Sequence, residues 1–352
     1  MNVENMSKSP PQKNLLSLQI DPRKFEPATE EEKAQQVRMR ESVSFMRDAM
    51  RRLARNKLAM MCLGIILLIA LLAVIVPMVY PYSYTQQDVR SKYLRPFEYS
   101  AKERERMERG EAVFPHIMGT DALGRDYAIR VVYGTRISLL VGTVAALIVV
   151  VIGVLYGAVS GFFGGRVDMV MMRVVDIIYA LPDVLIVILL TVAIKDIISA
   201  SKSSLVIRMG AGMVSIFIVF GLLYWVGMAR QVRGQILSIK EQEYVLASRS
   251  IGAKPARIIR KHMIPNCVSV IIIVAAMQIP NAIFTESFLS FVGLGVSIPM
   301  PSLGSLASDA RESLQSYPYL LIYPAVSVFL IVLSFNLLGN GLRDAFDPKL
   351  RA

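Results

Sequence analysis

EYVLASRSIGAKPARIIRKHMIP, residues 243–265, is the longest polar interruption in the apolar C-terminal half of the chain. Read at helical spacing, its first part gathers small and mildly apolar residues on one face. These residues are Tyr244, Ala247, Ser248 and Ile251. Gly252 then supplies a residue that adopts positive φ at low cost, and Pro255 presets φ for the first turn of another helix. The stretch therefore predicts two short helices on a membrane surface, with small residues where a partner approaches closely.

The second of these helices carries a basic face. Arg257, Arg260 and Lys261 fall together at i, i+3 and i+4. Such a cluster meets either acidic groups of a partner or anionic phospholipid headgroups, and both interpretations stay open. His262 lies on another side of the helix, where we expect it to pack or to cap a helix end.

The same stretch resembles the EAA loop of ABC-importer permeases. In that loop a cluster of small residues is followed at fixed spacing by Gly and then by a hydrophobic residue and Pro, and the matching residues here are Ala247, Ser248, Gly252, Ile264 and Pro265. The chain departs from the family at Leu246, where the family has glutamate, and at Ser248, where it has alanine. The resemblance implies an ATPase-coupling loop at 229–266. Its expected contact residues are Tyr244, Ala247, Ser248, Arg249, Gly252, Ala253, His262 and Pro265.

Composition places the chain among membrane proteins. It has 352 residues, 54% of them hydrophobic, with a mean hydropathy of +0.49, which is too apolar for an ordinary soluble domain. The formal net charge of +12 does not predict nucleic-acid binding, because the basic residues lie between apolar spans. Cys62 and Cys267 lie in or against apolar segments, and His116 and His262 are far apart. We therefore expect neither a disulfide framework nor a metal site.

Hydropathy predicts an all-α polytopic membrane protein with six transmembrane helices. The predicted spans are 58–79, 137–163, 174–194 with a bend at Pro182, 213–228, 267–294 and 320–338. We divide the chain into a cytoplasmic tail with an amphipathic helix, the first transmembrane helix, an extracytoplasmic segment, a permease core and a cytoplasmic C-terminal tail. These parts cover residues 1–57, 58–80, 81–136, 137–342 and 343–352.

Charge predicts the orientation of the chain in the cell membrane. Six spans place both termini on the same side as the basic loop 229–265, and the positive-inside rule makes that side cytoplasmic. The long segment 81–136 is then extracytoplasmic, although it carries many basic residues of its own. Within the second span Gly153, Gly157 and Gly161 recur every four residues, which predicts close packing against another helix.

Three further strings resemble the dipeptide/oligopeptide/nickel branch of the importer permeases. They are MGTDALGRDYAIRVVYGTRISLLVG (118–142), TESFLSFVGLGVSIPMPSLG (285–304) and NLLGNGLRDAFDP (336–348). The resemblance implies the C-type permease of an oligopeptide importer, with a type I ABC importer fold. It also implies a second homologous permease, two ATP-binding subunits, an extracytoplasmic peptide-binding protein and contact with membrane lipid. No G-x-x-x-x-G-K-[ST] phosphate loop occurs in the sequence, so we expect no enzyme activity and no bound cofactor, with ATP and Mg held by the partners.

Polar residues in the spans are candidates for the translocation pathway. The predicted members are Asp183, Asn281 and Glu286, because polar and acidic residues inside a membrane usually face a cavity or a partner. A hydrogen bond between helices is the simpler interpretation for the two acids. In the segment before the second span, Asp121 or Asp126 is expected to cap a helix, and Arg125 and Arg130 to hold acidic partners. The alternatives to a peptide importer are a nickel or metal-chelate importer and an ion-coupled secondary carrier that uses these acids.

Overall fold

The computed structural model describes residues 45–200, 206, 209–296 and 300–346. The chain divides into a small unit, Met1–Asp48, and a large one, Ala49–Ala352. Of the small unit only residues 45–48 are described, and they begin the first helix. Most of the predicted N-terminal tail, and the last six residues of the predicted C-terminal tail, therefore lie outside the described residues.

The described part of the chain is almost entirely helical. In chain order its helices are α1 Phe45–Arg55, α2 Lys57–Val79, α3 Ala101–Glu108, α4 Tyr127–Phe163, α5 Gly165–Ala180, α6 Asp183–Ser199, α7 Ala211–Lys240, α8 Glu243–Ser250, α9 Pro255–Phe291, α10 Leu303–Ala310 and α11 Tyr319–Phe346. Two of them contain a turn of π-helix, α7 at Phe220–Tyr224 and α9 at Ile259–Met263. Five of these helices, α2, α4, α7, α9 and α11, are long and apolar enough to cross a membrane.

The third predicted span is wrong in its detail. Its residues form two helices, α5 and α6, which meet at 91° instead of one gently bent span. The break lies at Leu181 and Pro182, where Leu181 has φ −75° and ψ 142°. A residue before proline is driven out of the helical region by the proline ring, which explains the extended backbone here. If the bent pair counts as one span, the described residues hold six spans, as predicted.

Two helices are longer than the sequence predicts. Helix α4 begins at Tyr127, ten residues before the predicted span, because Asp126 caps its first turn by accepting a hydrogen bond from the amide of Ile129 at 3.0 Å. Helix α7 continues to Lys240, through the first third of the predicted coupling loop. With 37 residues α4 is about 55 Å long, whereas the hydrocarbon core of a bilayer is only about 30 Å thick. It is therefore longer than a single perpendicular crossing of the membrane requires.

Helix α4 lies at the centre of the bundle and packs against α2, α7 and α9. Its glycine face meets α7: a Cβ added at Gly153 would lie 2.5 Å from the Cβ of Met228, and one at Gly157 would lie 2.4 Å from the carbonyl oxygen of Ala229. The predicted close packing of this face is thus confirmed. Leucines of α2 such as Leu67 stay largely exposed, as expected of a surface that faces lipid.

The segment between α2 and α4 folds over the Tyr127 end of α4. Its helix α3 begins with a capping box, in which Ser100 and Glu103 each bond the other's backbone amide. Most α3 side chains are exposed. The rings of Tyr80 and Tyr82 pack edge to face, with 5.9 Å between their centroids. This segment is therefore a folded cap on the bundle.

Candidate functional site

The turn after α8 has the geometry that the sequence predicts. Gly252 has φ +77°, and its amide donates to the carbonyl of Arg249 at 2.9 Å. The amide of Ala253 donates to the carbonyl of Ser248 at 3.1 Å, which completes a Schellman motif. Pro255 occupies the first turn of the next helix. Together these bonds fix the angle between α8 and α9.

Three apolar side chains fasten this turn to the bundle. Val245 of α8 and Ile258 and Met263 of α9 are fully buried, in one cluster with Phe162 of α4 and Ile236 of α7. Each of these large apolar side chains contributes about 1.5–3 kcal/mol when it is removed from water. The loop is therefore packed directly against the ends of α4 and α7.

The opposite face of α8 is open. Tyr244 is 42% exposed and Ile251 is 85% exposed, while Ala247 is exposed and Ser248 is partly exposed. The ring of half-buried His262 lies 6.4 Å from that of Tyr244, so α9 supports the edge of this face. We call this face, with the turn that follows it, the coupling surface. Its members are Tyr244, Ala247, Ser248, Arg249, Ile251, Gly252, Ala253 and His262.

The coupling surface carries positive charge. The guanidinium of Arg249 lies 4.8 Å from the ring centroid of Phe162, a cation–π contact that joins α8 to the end of α4. Lys254, Arg257, Arg260 and Lys261 are exposed beside it. Pro265, the remaining predicted coupling residue, is exposed at a 3₁₀ turn of α9 and lies outside the turn itself.

Ion pairs hold α5 to α7 near the coupling surface. Arg233 donates two hydrogen bonds of 2.5 Å to Asp168, from Nε to Oδ1 and from Nη2 to Oδ2. Ser160 of α4 donates to the same carboxylate. Arg230 bonds Asp176 at 2.7 Å and lies 4.2 Å from the ring centroid of Tyr179. A bidentate Arg–carboxylate pair has defined geometry as well as charge, so Arg233 and Asp168 fix the contact between α5 and α7.

The three predicted pathway residues lie in different surroundings. Asp183 is exposed at the start of α6 and lines a cavity of about 460 Å³ with Leu223 and Tyr224 of α7. Asn281 is exposed on α9. Glu286 is fully buried: it accepts hydrogen bonds from Ser138 of α4 at 2.8 Å and from Ser290 at 2.7 Å. Glu286 thus makes the hydrogen bond between helices that the simpler interpretation predicts.

The Tyr127 end of α4 is closed by buried charged groups. Nδ1 of His116 lies 2.7 Å from Oδ2 of Asp126, and Nε2 lies 3.2 Å from Oε1 of Glu103. The imidazole stacks on Tyr82 with 4.5 Å between ring centroids. Burial favours the neutral imidazole, but the hydrogen bond to Asp126 and the charge of Glu103 outweigh it, so the pKa of His116 is raised above its usual value. One residue thereby ties α3 to the N-cap of α4.

Comparison with known proteins identifies the family. Residues 150–352, more than half of the chain, match the family model described as the binding-protein-dependent transport system inner membrane component. Residues 44–96 match the N-terminal TM domain of oligopeptide transport permease C. The oligopeptide transport system permease protein OppC of Bacillus subtilis is 41% identical over 327 residues, which are 93% of this chain and 97% of that protein. The chain belongs to this permease family.

Other relatives agree with the assignment. The dipeptide transport system permease protein DppC of Bacillus subtilis is 44% identical over 313 residues, 89% of this chain and 88% of that protein. The MetNI methionine ABC transporter, solved in inward-facing conformations, aligns with a TM-score of 0.48 and 18% identity over 61% of this chain and 95% of that chain. That likeness is too weak to add to the assignment.

Family membership settles several predictions. The described part of the chain is all-α, the chain is a multi-pass membrane protein, and as a transport permease it is not itself an ATPase. The expected resemblance to the oligopeptide and dipeptide branch is confirmed. The structure also confirms that Asp126 caps α4 and that Arg125 and Arg130 bind an acidic partner, Asp121.

Three features of the site go beyond the sequence predictions. The sequence predictions do not include the attachment of α8 through Val245, which is buried between two exposed neighbours. The extension of α7 contains Arg230, Arg233 and Lys240, and such basic residues are typical of a loop. Yet Val232, Ile236 and Ile239 are buried at helical spacing, which is the signal for a helix that leaves the membrane. The link from Glu103 through His116 to Asp126 joins positions with no characteristic spacing.

Proposed function

We propose that this chain is one permease subunit of an ATP-driven ABC importer of oligopeptides or dipeptides. Two observations support the proposal: the relatives named above are oligopeptide and dipeptide permeases, and they cover nearly the whole chain. The same relatives favour peptides over nickel or a metal chelate. Membership of a binding-protein-dependent family likewise argues against a self-contained ion-coupled carrier.

In this proposal two ATP-binding subunits meet the permeases at the coupling surface. The single observation that carries this assignment is an exposed, small-residue face held on a rigid Schellman turn. Ile251 and Tyr244 offer apolar area to a partner, and Ala247 allows its backbone to come close. ATP and Mg belong to those subunits, and this chain binds no cofactor. Closure of the ATP-binding pair then moves the coupling surface together with the ends of α4 and α7.

The remaining partners follow from the same proposal. A second homologous permease pairs with this chain, so that each supplies half of the pathway, and Asp183 and Asn281 are the exposed polar candidates for it. Both termini are cytoplasmic. The cap between α2 and α4 is then extracytoplasmic and faces a peptide-binding protein. Glu286 belongs to the pathway only in a state that opens the contact between α4 and α9.

The experiment is ATP-dependent uptake of labelled peptides into proteoliposomes that contain the full importer with its binding protein. Wild-type protein is expected to concentrate a di- or oligopeptide in the presence of ATP and Mg, and to take up no free nickel. Import without ATP-binding subunits, driven by an ion gradient, would overturn the proposal. Affinity purification of the tagged chain from native membranes provides a second readout, since a second permease and ATP-binding subunits should remain bound to it.

A further inference from the structure

A second cavity, of about 420 Å³, lies at the Tyr127 end of α4. It is bounded by the cap between α2 and α4, by α4 itself, by α10 and by the beginning of α11. Charged side chains make up much of its wall, namely Asp121, Arg125, Arg130, Asp309, Arg311 and Glu312. The volume suits a small molecule, since ligand sites in proteins typically measure about 300–1,000 Å³.

The guanidinium of Arg130, in this wall, has hydrogen-bond donors that are not fully paired. Its side chain is 4% exposed, and Nη1 donates to the carboxylate of Asp121. Nη2 makes one long contact, 3.4 Å to Oδ2 of Asp309. Nε is buried and has no hydrogen-bond partner among the residues that the structure describes. Nε and Nη2 form the side edge of the guanidinium, which is the fork that binds a carboxylate through two parallel bonds.

The neighbouring carboxylates differ in how far they are already satisfied. Asp121 is saturated: besides Arg130 it accepts from Nε of Arg125 at 2.7 Å and from the backbone amides of Leu123 and Arg125. The Asp309 side chain is 55% exposed, and among the described residues it has only the long contact to Arg130. Glu312 is exposed beside it. The wall therefore holds a buried guanidinium edge whose Nε has no partner among the described residues on one side, and exposed carboxylates on the other.

A buried donor without a partner destabilises the protein, and a charged one does so more strongly, so a fork of this kind favours a ligand that fills it. A zwitterion matches both sides of the cavity: its carboxylate fits the fork, and its ammonium group fits the open carboxylates. Neither acetate nor an amine alone would satisfy both. The ligand class that fits best is thus a short peptide with free termini.

We propose that this cavity binds the C-terminal carboxylate of a short zwitterionic peptide through Nε and Nη2 of Arg130. Asp309 gives up its long contact to Arg130 and, with Glu312, meets the ammonium group. The inference rests on the proposed peptide import, and it places a first contact with the peptide on the side of the cap, about 50 Å along α4 from the coupling surface.

The test is a binding titration on the complete importer in nanodiscs, without the binding protein. Binding is monitored by saturation-transfer NMR. The probes are dialanine, its C-terminal amide and acetate. Dialanine is expected to bind at least about tenfold more tightly than the amide, because the amide loses the charge-assisted fork. Equal binding of dialanine and its amide would overturn the proposal, and so would binding of acetate without dialanine.

Two variants separate the fork from general effects of charge. Arg130→Lys keeps the positive charge but loses the fork, so dialanine affinity should fall by at least about tenfold, while Arg109→Lys on the cap should leave it unchanged. Asp309→Asn leaves Arg130 in place and removes its competing carboxylate, so acetate should bind more tightly. If Arg130→Lys does not fold, the increase with Asp309→Asn decides: an unchanged acetate affinity contradicts the proposal.

Uptake by the same preparations distinguishes this inference from the function on which it rests. ATP-driven peptide uptake together with equal binding of dialanine and its amide would refute the Arg130 site and leave the importer assignment intact. Absence of any peptide uptake by wild-type protein would refute the importer assignment itself.

Discussion

The two ends of α4 are built in opposite ways. At Tyr127 the end is closed: Asp126 caps the helix and is held by buried His116, and the cap between α2 and α4 covers both. At Phe163 the end carries the coupling surface, whose anchors are buried and whose outer face is open. One helix of about 55 Å thus joins the buried His116–Asp126 network at one end to the exposed coupling surface at the other. The contrast separates a network of buried charged groups from an exposed face, which the proposed function assigns to a partner.

The largest effect is expected at the turn of the coupling surface. Gly252→Pro cannot adopt φ +77°, because the proline ring holds φ near −65°, so ATP-driven uptake should be abolished while membrane insertion persists. Gly252→Asn is the matched control, since asparagine tolerates positive φ and a Cβ added at Gly252 meets no atom within 4 Å. Uptake assays and membrane fractionation of the two variants provide the measurement.

The coupling surface itself is tested by Ala247→Trp, which fills the open face without disturbing a buried contact. It too should stop uptake while the chain still inserts into the membrane. Normal uptake by either Gly252→Pro or Ala247→Trp would show that the coupling surface does not transmit the motion.

Substitutions at the Tyr127 end of α4 should lower the stability of the protein rather than its coupling to ATP hydrolysis. Asp126→Ala removes the cap of α4 and leaves His116 without its nearer carboxylate, so the free energy of unfolding should fall by about 2–3 kcal/mol. Asp126→Asn keeps a capping oxygen and should lose less. Denaturant titration of the detergent-solubilised protein measures both. A loss of ATPase coupling at unchanged stability would break the contrast between the two ends.

The closed end should also depend on pH. The pKa of His116 is raised in the folded protein, so the folded state holds a proton that the unfolded state releases above its usual pKa of about 6.5. The stabilisation is complete below that pH and is lost as pH rises through the folded pKa. The groups around the imidazole are Glu103, Asp126, Tyr80 and Tyr82, with Arg106 farther out.

The measurement is the unfolding midpoint between pH 6 and 9 for wild type and for His116→Asn. Wild-type stability should decline with rising pH over this range, and the variant should lack that component. His262→Asn, at the coupling surface, serves as the control and should keep the decline. Identical profiles for wild type and His116→Asn would contradict the assigned network.

Parts of this contrast could be predicted from the sequence and others could not. The turn at Gly252 and Pro255 follows from local backbone chemistry, and the glycine face of α4 follows from its spacing. The break before Asp183 was expected only as a bend, because the sequence does not reveal that α5 and α6 continue at 91°. The burial of Glu286 depends on Ser138, which lies 148 positions away, and no local pattern encodes that contact.

The smallest effect is expected where the coupling surface contacts the end of α4. Arg249→Ala removes the cation–π contact to Phe162, which is worth about 0.5–1 kcal/mol at an exposed site. Arg249→Lys should retain part of it. Paired denaturation curves measure the difference. A cost of several kcal/mol would mean that the coupling surface is tied to α4 by charge rather than by its buried apolar anchors.

The most direct test of the central claim is site-specific cross-linking in the assembled importer. Both native cysteines, Cys62 and Cys267, are buried, so one exposed cysteine can be introduced and modified alone. Ile251→Cys, on the coupling surface, is predicted to cross-link to an ATP-binding subunit. Lys102→Cys, on the exposed cap helix α3, is predicted not to do so. Cross-linking of Lys102→Cys to an ATP-binding subunit, or failure of Ile251→Cys with linkers of several lengths, would contradict the account.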